Sequence, residues 1–314
     1  MKILITTSSF AVKDTASRDL LVAQNCEIIT NPHGRTLTEE EVASLLGEHR
    51  PDGIIAGVEP LTENVLINAS SHLRVISRCG TGLDNVDLAA AKKQGITVVN
   101  TPDAPAEAVA ELTLAFILAL IRNITVHDNE VKSGRWKKHM GYLLHEMTIG
   151  LVGLGRVGRR VSSLLQPYGC KLLGADVKPD LDWAATHRVE LMPIEQLLTQ
   201  ADVISLHLPY ATAELHHFIN KKRIATMKPG SFLINTSRGA LVDDDALAAA
   251  LEDGHVGGVA LDVYEEEPYQ GPLLKAPRTI LSPHSGSYAR ATRARMECEA
   301  ATNLLTELAR SSSK

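Results

Sequence analysis

The sequence predicts an α/β protein built from two doubly wound parallel sheets. Three observations point there. Short apolar runs alternate with amphipathic helical patterns along the chain. The runs fall into two separate series. A glycine-rich loop follows the first run of the second series, so the residues before it form a unit of their own. With 314 residues, 44% of them apolar, the chain can bury substantial cores and exceeds the usual size of one domain.

The first series of strands is expected at residues 2–6, 27–29, 53–56, 73–77 and 97–99, each followed by a helical or turn segment. Among these, 38–48 reads as a helix whose Thr38 and Glu41 have capping-box spacing. The second series is expected at 148–152, 171–175, 203–206, 232–235, 259–263 and 279–281. A long helix over 105–122 joins the halves, and a final helix over 289–309 returns to the N-terminal unit. The crossings are expected near Asn100 and His284. This gives one domain from residues 1–100, completed by 285–314, and a second from 101–284. The last four residues, 311–314, are expected to fray.

Charge and cysteine usage narrow the function classes. The net charge of −5 and the scarcity of basic clusters beyond short groups such as 135–138 give no electrostatic reason for a nucleic-acid or anionic-membrane partner. Cys26, Cys79, Cys170 and Cys298 lie far apart with no C-x-x-C spacing, against both a zinc site and a disulfide framework, so no metal is expected. The chain starts directly on Ile3-Leu4-Ile5, and its longest apolar stretch, 112–121, is too short to span a bilayer. A reducing cytoplasm is the expected location.

A lone G-x-G-x-x-G is a weak signal, but its context here is strand, loop, helix. The run 149–152 leads into Gly153-Leu154-Gly155-Arg156-Val157-Gly158, and 156–165 continues as a helix with Val157, Val161, Leu164 and Leu165 at helical spacing. Gly155 lets the backbone approach a pyrophosphate, Gly158 permits close helix packing, and the helix N-terminus receives negative charge. The next strand ends at Asp176, 18 residues after Gly158. A carboxylate there can accept from both adenosine ribose hydroxyls and repels the 2′-phosphate of NADP, which favours NAD; nearby Lys178 partly offsets this. The bland alternative is that Asp176 caps a turn before Pro179.

In an open parallel sheet the ligand crevice lies beyond the carboxyl ends of the strands. Three later strand ends supply Arg238, Glu267 and His284. Reducing a 2-keto acid needs a cation for the carboxylate and an acid for the carbonyl oxygen. Arg238 suits the first task through its planar two-point grip. His284 suits the second, with Glu267 stabilising imidazolium. Taken singly, Arg238 reads as a solvated turn residue, Glu267 as one of three acidic residues on a wet loop, and His284 as a loop-end histidine. Their occurrence together at successive strand ends favours the chemical reading.

From about residue 56 to 287 the chain resembles the D-2-hydroxyacid dehydrogenase family, nearest to its D-3-phosphoglycerate dehydrogenase branch. The matching segments are RCGTGLDNVD at 78–87, NTP at 100–102, VAE at 109–111, GLVGLGRVG at 150–158, NTSRGA at 235–240, ALDVY at 260–264, Glu267-Pro268 and SPH at 282–284. The resemblance implies a Rossmann NAD-binding domain inserted in a flavodoxin-like substrate domain, with Arg238, Glu267 and His284 as the catalytic set. It implies further cofactor contacts at Thr81, Val109, Thr236, Ser237, Leu208 and Pro209. Asp262 would hold the nicotinamide carboxamide, while Arg238 and His284 would touch cofactor as well as substrate. Arg78, Gly80 and Thr81 would meet the substrate from the other domain. It also implies a homodimer, with residues 105–146 forming much of the interface.

Two departures bear on the substrate. Phosphoglycerate dehydrogenases often carry basic residues after the third strand, whereas this chain has Gly57-Val58-Glu59-Pro60-Leu61. Glu59 would disfavour a dianionic tail if it faced the pocket, leaving backbone N–H groups or Arg35 to bind one. Ending at Lys314, the chain is expected to lack the C-terminal regulatory domains of some relatives, and serine feedback with them. The leading expectation is NAD-linked hydride transfer on a small 2-hydroxy or 2-keto acid, with 3-phosphoglycerate as one candidate. The alternatives are phosphite or a sulfonated acid as substrate, or an NAD-sensing protein like the family's corepressors.

Overall fold

A computed structural model describes residues 1–209 and 212–312. In chain order its elements are β1 (Lys2–Ile5), α1 (Ala16–Ala23), β2 (Glu27–Thr30), α2 (Glu39–His49), β3 (Gly53–Ala56), α3 (Glu63–Ala69), β4 (Val75–Arg78), α4 (Leu88–Lys93), β5 (Thr97–Asn100), α5 (Ala106–Ile121), α6 (Ile124–Lys132), β6 (Thr148–Val152), α7 (Arg156–Leu165), β7 (Lys171–Ala175), α8 (Leu181–Thr186), β8 (Val189–Leu191), α9 (Ile194–Gln200), β9 (Val203–Leu206), α10 (Lys221–Thr226), β10 (Ser231–Asn235), α11 (Asp244–Glu252), β11 (Val256–Leu261), β12 (Thr279–Leu281) and α12 (Arg290–Ser312). No single helix among the described residues is long and apolar enough to cross a membrane.

The chain divides into two compact units, Met1–Pro105 with Tyr288–Lys314, and Ala106–Ser287. The first holds a five-stranded sheet in the order β2-β1-β3-β4-β5, all parallel. Strand alternation explains its two cores. Leu4, Ile54 and Ile76 point to one face, against Val42, Leu46, Val65 and Leu66. Ile3, Ile5, Ile55 and Val75 point to the other, against Leu21 of α1 and Met296, Ala300, Leu304 and Leu308 of α12. The last helix therefore packs on the first sheet.

The second unit holds a seven-stranded parallel sheet in the order β12-β11-β10-β9-β6-β7-β8. Its order reverses between β6 and β9, the position at which doubly wound sheets open a ligand crevice. Helices cover both faces. Leu197, Leu198, Ile224, Leu247 and Leu251 pack on one, and Phe116, Ile117, Leu120, Val161 and Leu165 on the other.

Several boundaries differ from expectation. The units divide at Pro105 and Ser287, rather than near Asn100 and His284. Ala104 is buried in the first core, whereas Ser285 and Gly286 donate their N–H groups to Asp262 of the second unit. The three-residue edge strand β8 and the helix α6, which restarts after the left-handed Asn123 (φ 54°), were not anticipated. β11 begins at Val256, three residues before the expected run, because Gly257 must lack a side chain: a Cβ there would stand 2.2 Å from Gly230 O. The expected fraying of 311–314 is partly wrong. Ser311 and Ser312 continue α12, and the Ser311 hydroxyl donates to Leu308 O at 2.9 Å; Ser313 and Lys314 lie outside the described residues.

The capping box of α2 forms as its spacing predicts. Glu41 N donates to Thr38 Oγ1 at 3.3 Å and Thr38 N to Glu41 Oε2 at 2.9 Å. The two hydrogen bonds from Arg35, at 2.6 and 2.8 Å, with that from Thr38, bring the Glu41 carboxyl down to about 2 from its ordinary 4.5. Because the folded value is the lower one, this stabilisation is complete above about pH 4.5 and disappears as pH falls toward 2. Glu41→Gln is therefore expected to lower the urea midpoint at pH 7, with the gap from the parent narrowing over that acidic range. A gap independent of pH would contradict the assignment.

Candidate active site

The glycine loop leaves β6 and enters α7, and each glycine answers a different steric demand. Gly153 has φ 96°, and a Cβ on it would lie 2.6 Å from His207 O. A Cβ on Gly158 would meet Gly153 O at 2.1 Å. Gly155, the N-cap of α7, faces open space within 4 Å of where its Cβ would stand. Two glycines thus fold the loop tightly, and the third leaves room at a helix N-terminus. This cradle fits the pyrophosphate of a dinucleotide.

Asp176 follows β7 and faces the loop. Its Oδ2 accepts from Leu154 N at 2.7 Å, and its Oδ1 from Lys178 N at 2.8 Å. The turn-capping alternative therefore describes a contact that exists, and the same carboxylate also braces the glycine loop. At the end of β9, Leu208 comes within 3.1 Å of the Cβ position of Gly153, and Pro209 follows it. His207, which precedes them, is buried, with Nε2 3.0 Å from Ser205 Oγ; burial pushes its imidazole down to about 3, so it stays neutral.

The ends of β10, β11 and β12 converge. Buried Asn235 shapes the turn that carries Arg238, accepting from Ser237 N and Oγ at 3.1 and 2.9 Å and donating to Arg238 O at 2.8 Å. Gly239 then allows this turn to touch the next, since a Cβ there would lie 1.8 Å from the carbonyl carbon of Tyr264. Glu267 sits in that neighbouring loop, where Tyr264 N donates to its Oε1 at 3.1 Å. Its Oε2 is 2.9 Å from Nδ1 of His284. Burial alone would raise the Glu267 carboxyl, but the His284 contact, the Tyr264 N–H and the Arg238 charge together hold it below its ordinary range. An ionised Glu267 makes Nδ1 the protonated nitrogen, which leaves the lone pair of Nε2 open.

His284 is held in the left-handed region at φ 50°, a conformation that a residue with a side chain rarely adopts. Asp262 supplies the restraint. Its carboxylate accepts from Ser285 N and Oγ at 2.8 and 3.2 Å, from Gly286 N at 2.7 Å and from the Ser282 hydroxyl. His284 N donates to Asp262 O at 2.8 Å. The expected carboxamide ligand thus already anchors the histidine loop on both sides of His284. Thr113 Oγ1 donates to Val109 O at 2.8 Å, so Thr236 Oγ1, 2.9 Å away, is the donor to Thr113. This chain links two of the expected nicotinamide-pocket residues.

In the first unit, Arg78 ends β4 and donates to Cys79 O at 2.9 Å, and Gly80 at φ 151° leaves space that its guanidinium fills. Thr81 is exposed, and its carbonyl accepts from Asn100 Nδ2 at 2.6 Å. Glu59 is only 1% exposed, accepting from Gly57 N at 3.0 and 3.1 Å and from the Thr6 hydroxyl. It is a bracket of the β3–α3 loop, and its charge does not face solvent. Arg35 is engaged by Glu41.

Sequence reasoning missed Asn235, Thr113, Ser282, Ser285 and Tyr264 as parts of the site. Asn235 and Ser282 stand at strand ends, which was the available signal. The others are recognisable only once the loops are neighbours. The Gly155 geometry makes a sharp prediction. Gly155→Ala is expected to match the parent in stability within about 0.5 kcal/mol, yet to bind NADH at least tenfold more weakly by fluorescence titration. Gly158→Ala is expected to lose about 1–3 kcal/mol as well, through overpacking. Parent-like NADH affinity in Gly155→Ala would refute the cradle.

Residues 114–286 match the family model described as D-isomer specific 2-hydroxyacid dehydrogenase, NAD binding domain. The chain is 38% identical over 266 residues to a glyoxylate reductase of Thermococcus litoralis, covering 81% of this chain and 80% of that protein. It is 38% identical over 255 residues to a D-3-phosphoglycerate dehydrogenase of Methanocaldococcus jannaschii, covering 80% of this chain but 48% of the relative. It superposes with a TM-score of 0.84 on a D-lactate dehydrogenase from Aquifex aeolicus complexed with NAD and lactic acid, at 30% identity and with 96% and 94% of the two chains covered. The expectations of an α/β fold with a Rossmann domain, of NAD and of dehydrogenase chemistry are met: the chain belongs to the D-isomer specific 2-hydroxyacid dehydrogenases and is an NAD-dependent oxidoreductase of that family.

Proposed function

We propose that the chain reduces short-tailed 2-keto acids and, in reverse, oxidises the matching D-2-hydroxy acids, with Arg238, Glu267 and His284 as its catalytic residues. The Glu267–His284 contact of 2.9 Å beside the charge of Arg238 carries this reading. NAD(H) supplies or accepts the hydride. Arg238 grips the substrate carboxylate and polarises the adjacent carbonyl. Nε2 of His284 gives its proton to the carbonyl oxygen, and Glu267 stabilises the imidazolium and fixes its tautomer. In oxidation the neutral ring takes the hydroxyl proton at the same atom.

For the cofactor, Gly153, Gly155, Arg156, Val157 and Gly158 are assigned to the pyrophosphate, Asp176 to the ribose, and Leu208 and Pro209 to the adenosine. Val109, Thr236 and Ser237 are assigned to the nicotinamide, and Thr81 to the cofactor and substrate. Asp262 has a double task, because Oδ2 accepts one N–H here and has room for a carboxamide donor. Arg78 and Gly80 are assigned to the substrate, which makes residues 1–105 with 288–314 the substrate domain.

Two observations favour a short tail. The loop from Gly57 to Leu61 contributes no cation, and relatives covered over most of their length are named glyoxylate reductases. NADH-linked turnover across keto acids with short, apolar, phosphate and sulfonate tails, and with phosphite included, tests this. Glyoxylate-sized acids are expected to give the highest kcat/KM. A best substrate bearing phosphate or sulfonate would overturn the assignment, and tight NADH binding without turnover on any compound would indicate a nucleotide sensor. His284→Ala is expected to lose at least 100-fold in kcat while still binding NADH, and unchanged turnover would exclude the role.

We further propose a homodimer through residues 105–146. Trp136 and Met140 are 85% and 95% exposed, and Ile124, Val131, Tyr142 and Leu143 are exposed beside them in sequence. Light scattering is expected to give twice the chain mass, with Trp136→Glu plus Met140→Glu shifting the protein to a monomer. A parent that stays monomeric at micromolar concentration would remove this proposal. All four cysteines are free, which fits the reducing cytoplasm proposed as its location.

A further inference from the structure

Away from the proposed catalytic residues, the second unit gathers two adjacent histidines on one carboxylate. His216 Nε2 lies 2.8 Å from Glu265 Oε1, and His217 Nε2 lies 3.3 Å from Glu265 Oε2. Successive side chains rarely point the same way. Here they do because His217 is left-handed, at φ 49°, and its N–H is fixed by Ala240 O at 2.8 Å. The two rings stack with centroids 3.9 Å apart and an interplanar angle of 20°. The three candidate ligand atoms lie within 4.8 Å of one another, and this is the one such group of three among the described residues.

We propose that His216, His217 and Glu265 form a surface site for a divalent cation of the zinc class. Two imidazole nitrogens and one carboxylate oxygen suit a borderline ion such as Zn2+, Co2+ or Ni2+, whereas Ca2+ and Mg2+ prefer all-oxygen sites. The ion takes the place of the protons that now lie between each Nε2 and its oxygen, with solvent completing its coordination. No other neighbouring ligand is required, since three protein ligands with water complete a tetrahedral set.

The site joins two separate stretches of chain, the turn at 216–217 and the loop that carries Glu265 and, two residues on, Glu267. A bound ion therefore cross-links the loop that presents the proposed partner of His284, and stabilises the folded chain by binding it in preference to the unfolded one. This inference does not depend on the identity of the substrate.

The test uses the full chain without an affinity tag, stripped by a chelator and titrated with Zn2+ by calorimetry in the absence of keto acids. One ion per chain is expected, together with a rise in Tm. His216→Ala and Glu265→Gln are each expected to weaken binding at least tenfold and to abolish the Tm rise, while His127→Ala, at the other close histidine pair, leaves both unchanged. Absence of saturable binding at one ion per chain, or binding that survives the His216→Ala plus His217→Ala double substitution, would overturn the site. All these side chains are at least partly exposed, and a circular dichroism spectrum matching the parent confirms that a variant is folded.

Discussion

The buried carboxylate of Asp262 is the constraint on which the proposed chemistry of the second unit depends. The loop after β12 must hold a histidine in an unfavourable backbone conformation, and nothing in the local sequence Ser282-Pro283-His284 compels it to do so. Asp262 does, by collecting donors from Ser282, Ser285 and Gly286 while its own carbonyl takes the His284 N–H. Each buried N–H left without that partner would cost about 1–3 kcal/mol, comparable to the strain of a left-handed non-glycine residue. The anchor is thus strong enough to maintain the conformation. With the loop fixed, Nδ1 of the imidazole meets Glu267 Oε2 at 2.9 Å.

Close backbone approach is the complementary constraint. The loops after β10 and β11 touch only because position 239 has no side chain, and the glycine loop closes on itself only because position 158 has none. Both contacts lie at the carboxyl ends of strands, where loops must carry function without a regular hydrogen-bond ladder to hold them. The glycines let backbone serve as packing surface, and polar side chains such as Asn235 and Asp262 then supply the missing bonds. The charge of Arg238 is felt at Glu267 through this combination, although 29 positions separate them in the chain.

Much of this was legible in advance for a physical reason. Parallel strands buried on both faces read as uninterrupted apolar runs, so β3, β6, β7 and β9 appear at their observed limits. The edge strand β8, with one exposed glutamate in three residues, carries no such signal. β11 is obscured at its start by glycines that serve a neighbour rather than the strand itself. Residues carrying recognisable chemistry, namely Arg238, Glu267 and His284, could be named from strand ends. Their supports could not, because Thr113, Tyr264 and Ser285 acquire meaning only from partners distant in sequence. Glu59 shows the opposite failure: an acidic residue in a loop suggested repulsion of a charged substrate, whereas Thr6 and Gly57 turn it inward.

Asp176 shows how structural and chemical roles can coincide without conflict. A carboxylate offers about four acceptor positions. In this chain one on each oxygen is taken, by Leu154 N and Lys178 N. The two that remain equal the number of adjacent hydroxyls on an adenosine ribose, the ligand proposed for this side chain. A 2′-phosphate would bring further negative charge against an oxygen whose orientation the glycine loop already dictates, and rotating the carboxylate away would break the bond to Leu154. On that proposal, discrimination against such a phosphate would have two sources, charge repulsion and the loss of a bracket on the cradle itself. Substituting a smaller neutral residue would remove the repulsion but also loosen the loop proposed to bind the pyrophosphate, which would couple cofactor choice to cofactor affinity at this position.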